Sequence, residues 1–213
     1  LSRPTKGLTL PTAFALDNLM RARRSIRRFQ ARDVDPSKIA AILSTLGNAP
    51  TGCNARELTF HVWSTRVAMD RLRSDVITAI ERHRDYDYQG DKLLPRWLAV
   101  PAILYRRNGR DEFFRGAPHL LVVSANEADP HATTPDQDIA ATLAYFDLLA
   151  QSYRVGTCWC GFLKIIVEHI PEIRGILGLG PKTPFYAMLF GYPAARYART
   201  VQRDDEAKIV YHQ

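Results

Sequence analysis

Residues 119–125, HLLVVSA, are apolar at successive positions over the length of one strand. Neighbouring side chains in a strand point to opposite faces. A run apolar at both parities therefore buries both faces and belongs in the centre of a sheet. FYAMLFGY (185–192) reads as a second buried strand, and ELTFHVW (57–63) as one whose aromatic and β-branched residues alternate. AKIVYH (207–212) is a short strand-like tail with no hairpin mate nearby.

Helix punctuation fills the intervals. AFALDNLMRAR (13–23) can place Phe14, Leu16, Leu19 and Met20 on one face. In DVDPSKIAAILSTLG, Asp35 is a good N-cap, Pro36 suits the first turn and Gly47 closes the end. RVAMDRLRSDVITAIERHR (66–84) is amphipathic, with Val67, Leu72, Val76, Ile77 and Ile80 inward. The segment opened by Thr134 and Pro135 carries two apolar sides, Ile139, Leu143, Phe146, Leu149 and Ala150 on one and Ala140, Ala141 and Ala144 on the other. Two such sides call for burial on both, one of them against a partner chain. PEIRGILGL (171–179) reads as a short helix. Residues 1–13 read as an extended arm, and 85–116 as an aromatic-rich excursion holding one helix near 91–106. No linker or repeat divides the 213 residues, so one domain is expected. Strands and helices mix without a regular βαβ rhythm, which makes the class α+β.

The net charge of +7 favours acidic partners without deciding the fold. Three cysteines are too few for a disulfide framework and suit a reducing cytoplasm. No dinucleotide glycine fingerprint, Walker loop, HExxH pair or GxSxG elbow occurs. The apolar runs, such as WLAVPAILY, fall well short of the roughly 20 residues that span a bilayer.

Much of the charge is concentrated. MRARRSIRRFQAR (20–32) holds six arginines around Ser25 and Ile26. With a helix ending near residue 24, Arg23 and Arg27 lie about a turn apart, and two guanidiniums with a hydroxyl can converge on one phosphate. The same stretch also reads as a solvated basic face, or as a nucleic-acid arm, although no aromatic platform accompanies it. NAPTGCNAREL (48–58) is a turn-rich loop that presents backbone groups. In VGTCWCGFL (155–163), two glycines bracket Cys158, Trp159 and Cys160; a nucleophilic cysteine there needs a base such as His119 or His169. GYPAARYARTVQR (191–203) ends in Arg199 and Arg203, which can join the first arginine group in space.

Taken in order, RRSIRRF, APTGCN, RVGTCWCGF and GYP…R resemble the motifs of the FMN-dependent nitroreductase family over about residues 14–212. PTGCNAREL, FRGAPHLLVVSA and YFDLLAQSYRVGTCWCGF resemble in particular the nitroreductase-like domain of ferredoxin–nitroreductase fusion proteins. No CxxCxxC cluster-ligand run is present, so a ferredoxin domain is either lacking or lies outside these residues, which begin at Leu1.

The resemblance implies an α/β/α sandwich with a mostly antiparallel central sheet, a homodimer that exchanges its C-terminal strand, and one FMN at each of two interface sites. Carried over by position, Arg23, Arg24, Ser25 and Arg27 hold phosphate, ribityl and the pyrimidine edge. Arg203, with Arg199, completes the phosphate clamp. Pro50, Thr51, Asn54 and Arg56 reach in from the other subunit. Cys160 and Gly161 lie along the flavin, with the Gly161 N–H as donor to flavin N5. Arg56, Glu57 and Leu58 stand where many members have glutamine, proline and tryptophan. The implied activity passes hydride or electrons from NADH, NADPH or reduced ferredoxin to a small-molecule acceptor such as a nitroarene or quinone, in ping-pong fashion. Other chemistry on the same flavin fold is the alternative within enzymes, and a non-enzymatic basic nucleic-acid-binding protein the alternative outside them. The expected location is cytoplasmic, with no nucleic acid or membrane as partner.

Overall fold

The computed structural model describes residues 9–84, 96–126, 134–199 and 208–212. Its helices are α1 (Ala13–Ala22), α2 (Pro36–Thr45), α3 (Arg66–Arg84), α4 (Arg96–Asn108), α5 (Pro135–Ser152), α6 (Gly161–His169) and α7 (Ile173–Ile176). The strands are β1 (Leu58–Trp63), β2 (His119–Ala125), β3 (Gly156–Trp159) and β4 (Phe185–Gly191). They form one sheet in the order β1-β2-β4-β3, and every pairing is antiparallel.

The double-sided apolar run does what its pattern requires. All seven residues of β2 are buried, and the strand lies inside the sheet. Leu120 and Val122 pack with Met69, Val76, Ile80, Leu98, Leu163 and Ile166 from α3, α4 and α6. Leu121 and Val123 pack on the other face with Ile39, Ile42, Ile139, Leu143 and Phe146 from α2 and α5. This is an α/β/α sandwich with a core on each side of the sheet. Among the described residues, no helix is long and apolar enough to cross a membrane.

Several local expectations change. Val67 is exposed, and Met69 takes its place in the core, because at 3.6 residues per turn Met69 falls in line with Leu72, Val76 and Ile80, while Val67 falls on the opposite side of α3. Gly47 does not end α2 as a cap; it lies inside a 3-10 turn, Leu46–Asn48, that continues the helix. Thr134 makes no capping bond to the backbone, and its hydroxyl donates to Asp138 instead, at 3.1 Å. Asp35 does cap α2, accepting from the Ser37 N–H at 2.8 Å. The strand β3 and the helix α6 were not anticipated. Four strand residues are too short a signal for period-2 reading, and the Ile165–Ile166–Val167 run in α6 has β-branched character. Residues 208–212 make no strand within the chain, and Ile209, Val210 and Tyr211 are exposed. Of the 85–116 excursion, α4 and the loop after it are described, while residues 85–95 lie outside the described residues.

After α1 the chain does not stay helical. Residues 25–30 run extended across the end of the sheet as a strap. Ser25 bridges to Thr157 in parallel sense and Phe29 to Pro193 in antiparallel sense. The Ile26 N–H donates to the Thr157 carbonyl at 2.7 Å, the Gln30 N–H to Tyr192 at 2.8 Å, and the Ala194 N–H to Arg28 at 2.9 Å. The strap rests on a bare spot made by Gly156 and Gly191, which face each other across β3 and β4. A Cβ on Gly156 would sit 2.5 Å from Ile26 Cγ1, and one on Gly191 would sit 2.6 Å from Pro118 and 3.0 Å from Phe29.

Two outcomes follow for stability. Overpacking a rigid contact costs roughly 1–3 kcal/mol, so Gly156→Ala and Gly191→Ala should each lower the unfolding free energy by about that amount, read as a lower urea midpoint at unchanged slope. Gly47→Ala, with nothing within 4 Å of its added methyl, is the control that should not. His119 is wholly buried, and its Nε2 accepts the Val34 N–H at 2.8 Å, so the ring is neutral with its proton on Nδ1. Burial pushes its pKa down, against the pull of Asp33 and the Trp63 carbonyl. The unfolded chain then binds more protons below about pH 6.5, the ordinary histidine value. Denaturation midpoints should therefore be steady above that pH and fall as the pH is lowered through it.

Candidate functional site

The arginines do not sit a helical turn apart, because α1 ends at Ala22. Their spacing becomes the period of two of an extended segment, and alternate side chains part company. Arg24 and Ile26 line a cavity with the 192–199 segment; Arg23, Ser25 and Arg27 are absent from that lining.

Arg23 turns toward α5. Its Nη1 lies 3.4 Å from Asp147 Oδ2, and Asp147 is buried with its other oxygen accepting from the Thr157 hydroxyl. Thr157 thus holds the strap through its carbonyl and Arg23 through Asp147. Arg27 is exposed, and its charge, together with that of Arg115, acts on Cys158. Arg115 stands on a loop held by a buried ion pair: Arg73 Nε meets Asp111 at 2.7 Å, and Asp111 also accepts from the Phe114 and Gly116 N–H groups. Arg23 is thus tied to β3 through Asp147 and Thr157, while the charges of Arg27 and Arg115 reach Cys158 on the same strand.

Beyond β3 the chain turns at Cys160 into α6, with Gly161 at its first position. The N–H of such a residue has no acceptor within its helix and carries the positive end of the helix dipole. The absence of a side chain there leaves room for the Tyr186 hydroxyl, which a Cβ would meet at 2.8 Å. The Cys160 side chain turns into the core instead. Its sulfur is packed under Phe113, 3.9 Å from that carbonyl oxygen, so Cys160 offers the site only its backbone.

The 50–56 loop is self-ordered and strained. Cys53, Asn54 and Arg56 all have left-handed φ (51°, 53° and 57°), a conformation that costs a non-glycine residue roughly 1–2 kcal/mol. Thr51 Oγ1 accepts from the Arg56 N–H at 3.1 Å, and Arg56 Nε donates to Asn54 Oδ1 at 3.0 Å. The Gly52 N–H is tied to Asp138 at 2.9 Å, near the start of α5. Asp138 and Asp147 are nine residues apart on that helix, about 14 Å of helix rise. Within one chain, then, Pro50, Thr51, Asn54 and Arg56 stand at the opposite end of α5 from Arg23, Ser25 and Arg27. Arg199 is brought to Arg24, whose Nη1 donates to its carbonyl at 3.4 Å while the guanidinium stacks on Tyr197 at 3.6 Å. Arg203 lies outside the described residues.

Asp147, Thr157, Arg115 and Tyr186 were missed from the sequence. Asp147 left a readable signal: a carboxylate in the middle of the buried stripe of α5 needs a cationic or hydroxyl partner. The other three left none, since they join the site only through sheet pairing and loop closure.

A cysteine nucleophile is not supported. Burial pushes the Cys160 thiol up to about 12. Burial also raises Cys158, with Arg27 and Arg115 pulling the other way. His119 is engaged with Val34, and His169 Nδ1 lies 2.9 Å from the Ile165 carbonyl. Iodoacetamide at pH 8 should modify the exposed Cys53 first, and Cys158 and Cys160 only after unfolding, as read by peptide mass spectrometry.

A four-stranded antiparallel sheet between helical layers, with a basic strap and a helix N-terminus at its end, is the kind of α+β flavoprotein scaffold that the motifs led one to expect. The Nitroreductase family model matches residues 20–192, and the chain belongs to that family. Among curated proteins it is 26% identical over 181 residues to iodotyrosine deiodinase of Hydra vulgaris, covering 82% of this chain but 64% of that one. It is 25% identical to the nitroreductase NfnB of Mycolicibacterium smegmatis, covering 90% of this chain and 89% of NfnB. Among solved structures, an FMN-bound nitroreductase from Bacteroides fragilis superimposes with a TM-score of 0.65 at 20% identity, over 92% of this chain and 98% of that one. NfnB has also been crystallised as an FMN-dependent enzyme in complex with NADPH, with a TM-score of 0.61 at 21% identity, over 91% of this chain and 99% of that one.

Proposed function

We propose that the protein is an FMN-dependent oxidoreductase that works as a homodimer and passes reducing equivalents from a nicotinamide nucleotide or a ferredoxin to a small acceptor such as a nitroarene or quinone. One observation carries this reading. The strap that carries Arg23, Ser25 and Arg27 is paired to β3, the strand that runs directly into the N-terminus of α6, so these residues and the Gly161 N–H belong to one continuous edge of the sheet.

The residues fit the group. Arg23 and Ser25 supply charge and a hydroxyl for a phosphate dianion, and Arg23 is already oriented by Asp147. Arg27 and Arg115 place positive charge near Cys158, where the pyrimidine edge would develop negative charge. The Gly161 N–H, at the first position of α6 and without an acceptor in its helix, would be the donor to flavin N5. FMN, when bound, supplies the hydride and electron transfer that no side chain of this chain provides. The residues bind it, orient it and exclude water.

Homodimerisation follows from the loop geometry. A second copy running antiparallel along α5 would carry its own Pro50, Thr51, Asn54 and Arg56 to the end where Arg23 stands. Surface for such a pairing is open. The helix α1 has no buried residue, with Phe14, Leu16 and Met20 exposed, and the alanine side of α5 and the 209–211 tail are also uncovered. An obligate interface of this kind is apolar and isologous.

The purified protein should be yellow, with a flavin spectrum, and elute as a dimer. Arg23→Ala should lose most of its FMN, at least tenfold in affinity, by ultrafiltration and absorbance, while remaining dimeric. Unchanged flavin content in that variant would remove Arg23 from the phosphate site. Bleaching under NADPH, NADH or reduced ferredoxin identifies the donor. The Hydra relative makes reductive dehalogenation the competing chemistry; comparing turnover of a nitroarene, a quinone and an iodotyrosine separates the two.

A further inference from the structure

The side of the strap that faces away from Arg23 and Arg27 is not a plain surface. Arg24 and Ile26 open there into a cavity of about 980 Å³, closed on its far side by residues 192–199. That is the upper end of small-molecule clefts, roughly 300–1,000 Å³. Its walls carry Arg24, Arg32, Lys38, Arg154, Arg196 and Arg199, and no carboxylate is among the lining residues. None of these six makes an ion pair with a carboxylate among the described residues. Lys38 does act on Asp35, the N-cap of α2, which lies outside the lining.

Instead of acidic partners, the cations have aromatic supports. The Arg24 guanidinium lies over Tyr197 at 3.6 Å, Arg32 over Tyr192 at 4.1 Å, and the Lys38 ammonium over the same ring at 5.4 Å. Stacking of this kind holds a cation in place without neutralising it; Arg24 gives one N–H to the Arg199 carbonyl and Arg32 its Nε–H to Gln30, both uncharged acceptors, so the positive charge is left for an anion. Arg154 arrives by a costly route. It is the left-handed residue (φ 60°) of a Schellman turn that ends α5, in which Val155 N–H bonds Ala150 and Arg154 N–H bonds Gln151. Glycine is the ordinary occupant of that position, yet here it is a residue that reaches the cavity.

Six like charges converging on one concave site repel each other unless a polyanion joins them. We propose that this cavity is a second anion site, separate from the flavin's, which binds the phosphate groups of pyrophosphate or of a phosphorylated nucleotide. Arg24 and Arg199 then serve this site, and the flavin phosphate is left to the other side of the strap. The inference goes beyond the flavin reading and does not depend on it.

Isothermal titration of the purified full chain, flavin retained, tests it with inorganic pyrophosphate, ATP, NADPH and NADH. Pyrophosphate should bind, more weakly as salt is raised. Arg154→Glu and Lys38→Glu should each weaken it at least tenfold while leaving flavin absorbance and melting temperature as in the parent. The remaining ligands identify the source of the phosphate. Tight ATP binding by the same residues points to a free nucleotide. NADPH favoured over NADH, with the preference erased in both variants, points to the 2′-phosphate of the electron donor. No binding of pyrophosphate, or binding indifferent to both substitutions, overturns the proposal. So does loss of flavin in both variants, because the cavity would then be the flavin's own phosphate pocket. A colourless protein that still binds pyrophosphate would sink the flavin reading and leave this one standing.

Discussion

The backbone pairing of residues 25–30 to the end of the sheet is the contact on which the rest depends. It converts a run of like charges into two differently directed sets, because an extended segment sends alternate side chains to opposite sides. Arg23, Ser25 and Arg27 go one way and Arg24 and Ile26 the other. The pairing is possible only over Gly156 and Gly191, where any Cβ would collide with the strap or with Pro118. Asp147 and Thr157 then complete it, one accepting from Arg23 and the other accepting from Ile26 N–H. Remove the bare spot and the arginines lose their alignment, not merely some stability.

The same sheet end explains why a chain without a His/Asp/Glu constellation can still be an enzyme. The groups that gather there are guanidiniums, a hydroxyl and the N–H of a helix start. Such groups suit the binding and tuning of an electron carrier, as proposed above, rather than acid–base or nucleophilic work. The thiols of Cys158 and Cys160 are held inside the core that α4 and α6 cover, and burial pushes Cys160 up to about 12. Membership of the Nitroreductase family agrees with this division of labour, in which a bound flavin performs the redox chemistry and the protein positions it.

How much was legible depended on the length scale of the signal. The strands β2 and β4 and the helices α2, α3 and α5 announce themselves through apolar period and caps, within a residue or two of their observed bounds. Each carries its signal over seven or more residues. The strand β3 has four residues and carries none, so the floor of the site was invisible as a strand, although its glycines and motif were noticed. The candidate site residues stand out in the sequence as motifs, but the local backbone that carries them does not. The spacing of Arg23 and Arg27 suits a helical turn, but the helix ends at Ala22 and the chain runs extended from there. Asp147 was passed over inside an apolar stripe, and Arg115 had no local mark.

What the sequence determined on its own was composition of faces: which residues must be buried together, where helices start, and that cations cluster near both ends of the chain. Those are properties of short windows, set by the 3.6- and 2-residue periods of the backbone. Only the tertiary structure decided which cations meet. That depends on hydrogen bonds between residues more than 100 positions apart, such as Ile26 to Thr157 and Gln30 to Tyr192, and on two glycines whose missing side chains matter only once another segment lies on them. No periodicity encodes such a contact, because its energy exists only after the chain has closed on itself.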